Sequence, residues 1–318
     1  MWSPILLRDA VDLTVSPLST FGAVASLDTR KFVNPNRSPM IIDQIRFYPN
    51  MRTYTGTPNL ASPLASFWVE LKLGAISLTR NFIPIGVLAP RYNGYQVPIS
   101  VSGLGIAYNL SNYLDAVLTW HLPRPLYVPP GLGISARFIQ QKPISTYNTP
   151  ITPVSISMAA AGRSLPQDYV PPAEIDVPWA SAAVCNNQAV SRYVSNDADL
   201  SNPYNTELRL AQIVGLNAAS RDGSSPAARA NRAGVTIQIT SSSAKMIIRD
   251  PTPFELIFPS CRGVMETKTV LQPGEFWRAE FEAVAPTNAL SVVPTTTEFT
   301  AVSIIGTRKV PTPRPVQP

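Results

Sequence analysis

Thirty-three of the 318 residues are proline, and they are spread along the whole chain. A proline fixes φ and has no amide hydrogen, so it stops a helix and interrupts the interior of a sheet. At about double the ordinary share, these prolines leave few stretches where a helix longer than about three turns would fit. Between them the pattern alternates. In "SPMIIDQIRFYP" (38–49), Ile42, Gln44 and Arg46 are set against Asp43, Ile45 and Phe47, and "FWVELKLGAISLT" (67–79) puts Val69, Leu71 and Leu73 on one face with Glu70 and Lys72 on the other. A period of two with turn residues at short intervals predicts short strands in an all-β sandwich or barrel.

One turn and its strand are written twice. "PPGLGISARF" (129–138) aligns with "QPGEFWRAEF" (272–281) on Gly131 and Gly274, which sets Ile134 on Trp277, Ala136 on Ala279 and Phe138 on Phe281. These six side chains are predicted to face two cores. "ELKL" (70–73) and "ELRL" (207–210) recur in the same order at a similar offset, which predicts a duplication of roughly 140 residues. Each half then holds seven or eight strands, the content of an eight-stranded jelly roll. The expected organisation is an N-terminal arm at 1–20, a first jelly roll at 21–145, a connection at 146–170, a second jelly roll at 171–306 and a Pro-rich C-terminal arm at 307–318. A few short helices are expected: an amphipathic one within 1–20, with Trp2 at its end, and others at 181–194 and 224–234. "SPMIIDQIRFYP" has no visible counterpart near 178–188, where the chain reads as helical.

With the repeated Pro-Gly strand, "FVNPNRSPMIIDQIRFYP" and "VELKLGAISLTRNFIPIGVLAP" in view, the chain resembles the double jelly-roll major capsid proteins of tailless, lipid-containing icosahedral bacteriophages. The resemblance covers about 21–306. It implies a homotrimer whose six barrels form a pseudo-hexagonal capsomer, with lateral contacts to other capsomers and to virion proteins such as a penton or spike. It also implies location in the virion after synthesis in a host cytoplasm. The terminal arms would face inward or tie neighbours together. Trp2, Arg308, Lys309 and Arg314 are the candidate residues, and the occupant they meet is either an internal lipid membrane or the next subunit.

Chemistry is sparse. His121 is the single histidine, and Cys185 and Cys261 show no CxxC spacing, so no metal site is expected. No G-x-S-x-G elbow or phosphate loop is present. The nearest carboxylate pairs are Asp197 with Asp199 and Glu280 with Glu282. Calcium at the first pair is open, although the twelve-residue loop with its terminal glutamate is missing. A net charge of +6 without a basic stripe points to no sequence-specific nucleic-acid partner. The expectation is a structural protein with no enzymatic activity, no cofactor and no catalytic residue. The alternative is a trimeric β-sandwich binding receptors or carbohydrate, as a spike does.

Overall fold

The computed structural model describes residues 4–12, 24–50, 67–89, 91–92, 100–102, 105–107, 117–140, 155–185, 192–218, 235–243, 246–258, 262–283 and 299–315. The first half contributes β1 (Pro4–Asp12), β2 (Val24–Ser26), β3 (Met40–Asn50), β4 (Phe67–Leu73), β5 (Ile76–Ser77), β6 (Ile83–Pro84), β7 (Arg91–Tyr92), β8 (Ser100–Ser102), β9 (Gly105–Ala107), β10 (Leu118–Val128), β11 (Ile134–Gln140) and β12 (Ser155–Ser164). The second contributes β13 (Glu174–Cys185), β14 (Arg192–Val194), β15 (Leu200–Ser201), β16 (Leu208–Ala218), β17 (Val235–Ser241), β18 (Met246–Pro253), β19 (Arg262–Glu266), β20 (Val270–Leu271), β21 (Phe276–Ala283) and β22 (Phe299–Pro311).

Apart from β8 and β9, which among the described residues pair only with each other, these strands form two antiparallel sandwiches with one wiring. In the first, a sheet ordered β1-β12-β3-β10-β7 faces one ordered β2-β11-β4-β5, with β6 also pairing β4. In the second, β13-β22-β16-β19, with β20 on β16, faces β14-β21-β17-β18, with β15 on β21. Reading across, β1 corresponds to β13, β3 to β16, β4 to β17, β11 to β21 and β12 to β22. Each half is a jelly roll.

The correspondence extends to irregularities. β3 bulges at Asp43, between the pairs Gln44↔Ala161 and Ile42↔Gly162, and β16 bulges at Ala211, between Gln212↔Ile305 and Leu210↔Gly306. Both glycines are required by close approach: a Cβ on Gly162 would strike the Ile41 carbonyl, and one on Gly306 the Arg209 carbonyl. After the bulge the strand turns its other set of side chains inward, so bulges at matching positions give both barrels the same bend. Each half also follows a proline with a one-turn helix, Ile85–Leu88 after Pro84 and Phe254–Ile257 after Pro253.

Four expectations are corrected. Residues 4–12 form strand β1, paired along its whole length with β12, and not an amphipathic helix. β12 lies inside the stretch read as a connection, because Ile156, Met158 and Ala160 fill the first core, so the first barrel runs to about Leu165. Residues 181–185 belong to β13, whose two faces are both covered and so lack the alternation that marks a strand. "ELKL" lies in β4 and "ELRL" at the start of β16, strands that do not correspond; the counterpart of "SPMIIDQIRFYP" is β16. The helix expected at 224–234 lies outside the described residues.

Candidate assembly surfaces: repeated turns and the joint between barrels

The duplicated turn is built the same way twice. Gly131 and Gly274 have φ of +74° and +76°, the left-handed region that glycine enters freely. Leu132 N donates to Pro129 O at 3.3 Å and Glu275 N to Gln272 O at 2.9 Å, each closing a four-residue turn with Pro-Gly in the middle. Proline before a positive-φ glycine is the type II arrangement. Beyond it, Ile134, Ala136 and Phe138 are buried in the first barrel, and Trp277, Ala279 and Phe281 in the second.

An asparagine locks each turn. The Asn34 side-chain amide donates to the carbonyls of Ser38 and Val128 (3.0 and 3.1 Å), and its oxygen accepts from Asn36 N. Its backbone accepts from Gly131 N and donates to Leu132 O. Asn202 repeats this bond for bond, with Thr206 and Leu271 (2.8 and 3.0 Å), Tyr204 N, Gly274 N and Glu275 O. The shared text is "NPNRS" (34–38) and "NPYNT" (202–206), an Asn-Pro-x-x-Ser/Thr repeat that alignment on the glycines did not reveal. Only a side chain with both a donor and an acceptor at its tip can bridge two strand ends in this way.

The barrels meet through an apolar face. Trp179, Ala183, Val302, Ile304 and Ile213 point into the second core, while the opposite face of the same sheet, through Ala180, Val214, Leu216, Ala301 and Ile305, joins the core cluster of the first barrel. Against it the first barrel sets the turn 78–80 and the helix Ile85–Leu88, all four of whose residues are buried. Polar bonds fix the register. Arg80 N donates to Ala180 O (2.8 Å), Ala180 N to Leu78 O (3.0 Å) and Ser303 Oγ to Val87 O (2.6 Å). The Arg80 guanidinium reaches Ser201 Oγ at 2.6 Å.

Of the residues expected on terminal arms, two lie within the second sandwich. Trp2 lies outside the described residues. Arg308 and Lys309 are in β22, opposite Val177 and Asp176 of β13, because the pairing of the two strands continues to Pro311. Arg308 is half-buried at the joint: its guanidinium lies 3.7 Å from the centre of the Tyr204 ring and donates to Ser77 O at 3.5 Å. Loss of water there pushes its pKa down. Lys309 is exposed beside an open cleft lined by Glu174, Asp176, Glu207 and Arg209. Thr312 binds back to Pro172 and Ala173, and Arg314 beyond it is exposed.

Other candidates are spread apart. Asp197 accepts two bonds from Arg278 (3.0 and 2.6 Å), whereas Asp199 accepts from Asn196 N (3.1 Å) and has its pKa raised by burial. Glu280 pairs with Arg192 at 2.5 Å. His121 is half-buried on β10, Cys185 is a buried thiol and Cys261 lies outside the described residues. Among the described residues no three His, Cys, Asp or Glu side chains gather as metal ligands.

No family model matches the chain, and no curated protein matches it. Solved structures do. The crystal structure of the STIV MCP is similar at 9% identity and a TM-score of 0.49, over 96% of each chain. The structure of Sulfolobus Turreted Icosahedral Virus gives 9% and 0.47 over 96% of this chain and 90% of that one. PBCV-1 VP54, fitted into a reconstruction of the virophage Sputnik, gives 9% and 0.43 over 97% and 94%. These neighbours are double jelly-roll major capsid proteins.

Proposed function

We propose that the chain is a major capsid subunit of a tailless icosahedral virus, a structural protein that self-assembles as a homotrimer into pseudo-hexagonal capsomers. The observation that carries this reading is the joint. Two barrels of one design stand side by side through a sheet whose two faces are both apolar, a construction that serves lateral packing. The low share of charged residues, 14%, fits large contacts between copies. In this reading the capsomer meets other capsomers, penton or spike proteins and, in a lipid-containing bacteriophage, a membrane. Trp2, Lys309 and Arg314 remain as residues for that inner contact, Arg308 being committed to the joint between barrels.

Sedimentation and electron microscopy of the purified chain test the reading. A stable trimer that builds sheets or shells is expected. A monomer with measurable glycan affinity overturns it in favour of a spike-like binding protein.

A further inference from the structure

The two barrels share a design, but their matching surfaces are not equally covered. Aligning the one-turn helices on Pro84 and Pro253 sets Val87 on Leu256. Val87 is wholly buried in the joint, and its carbonyl accepts from Ser303; Leu256 is 74% exposed. Val264, on the neighbouring strand β19, is exposed as well. The receiving face shows the reverse asymmetry. Aligning the two bulges sets Ser303 on Ala159, Ile305 on Ala161 and Ala180 on Leu6. In the second barrel that face is buried under the first. In the first barrel Ala159 and Ala161 are only half-buried and Leu6 is 57% exposed. Each chain thus fills one joint internally and carries an unused half of the same joint at either end.

We infer that a second copy of this chain occupies both halves: the helix Phe254–Ile257 of one copy docks on the outer face of β1, β12 and β3 of the next, with Leu256 seated over Ala159 as Val87 is seated at Ser303. The small side chains of β12 leave the space that a leucine needs, since Leu256 is larger than Val87 and Ala161 is smaller than Ile305. The contact is heterologous, head to tail, and such contacts close into rings or run on as fibres. This inference rests on the capsid reading, which selects the closed ring of three. Where the internal joint has Ala182 and Val214, the outer face has Arg8 and Arg46. Those charges keep the face soluble on a free chain.

The test uses the whole chain. Leu256→Asp, at an exposed position, is expected to keep the wild-type circular dichroism and to raise the trimer dissociation constant by at least about 30-fold, the effect of an interface anchor. Paired Ala159→Cys and Leu256→Cys, mildly oxidised, are expected to give cross-linked dimers and trimers that neither single variant gives. If wild type is trimeric while Leu256→Asp keeps the wild-type trimer dissociation constant and the cysteine pair gives no ladder, this joint is overturned and the trimer stands. If wild type is monomeric at all concentrations, the capsid reading itself fails and the joint with it.

Discussion

Gly274 has open space where a Cβ would go, so replacing it by alanine tests backbone conformation alone. Gly274→Ala should cost about 1–2 kcal/mol in chemical denaturation, the expense of left-handed backbone for an L-residue, and Gly274→Asn should recover part of it. Asn202→Ala and Asn34→Ala leave two strand-end carbonyls and one amide without their partner, and each should lose about 2–3 kcal/mol. The glycines could be read from sequence because positive φ restricts the residue type at one position. The asparagines could not, because their partners Val128 and Leu271 lie 94 and 69 residues away. Their meaning arises only when the barrel closes.

Among elements, Arg308 and Tyr193 mark where burial acts on polar groups. Arg308 Nε is buried without a hydrogen-bond partner among the described residues. Arg308→Met should therefore fall within about 1 kcal/mol of wild type, while Arg308→Ala, which also removes the stacking on Tyr204, should lose about 2 kcal/mol in the same denaturation assay. Tyr193 stacks on Phe281 at 6.0 Å, and burial, with smaller contributions from Asp199 and Cys185, pushes its hydroxyl up to about 12. The folded state holds that proton after the unfolded state has lost it, so stability falls as pH rises from 10 to 12. Tyr193→Phe should show a shallower fall over that window in melts followed by circular dichroism. Strands with one dry face, such as β4 and β21, were legible as alternation. β13 was not, because the joint covers its second face, and the "ELKL" match misled because strands draw on a small alphabet and four residues do not separate β4 from β16.

For the whole molecule, the core cluster of the first barrel includes Val214, Ala301 and Ile305 of the second. Calorimetry should therefore show one cooperative transition, with calorimetric and van't Hoff enthalpies equal; two separated transitions would mean that the joint contributes little. The two-barrel plan could be anticipated from the Pro-Gly repeat, but the side-by-side packing could not, since it depends on which outer face each barrel leaves dry. The sequence position of β22 bears on timing. It lies between β13 and β16 in its sheet yet follows both in the chain. During synthesis the first barrel gains its last strand, β12, near residue 164, whereas the second waits with a gap at the centre of a sheet until the ribosome has passed residue 311. Until then the face that receives the first barrel lacks Ala301, Ser303 and Ile305. The internal joint of a nascent chain therefore closes only after β22 is made, long after the outer face of β1, β12 and β3 is complete.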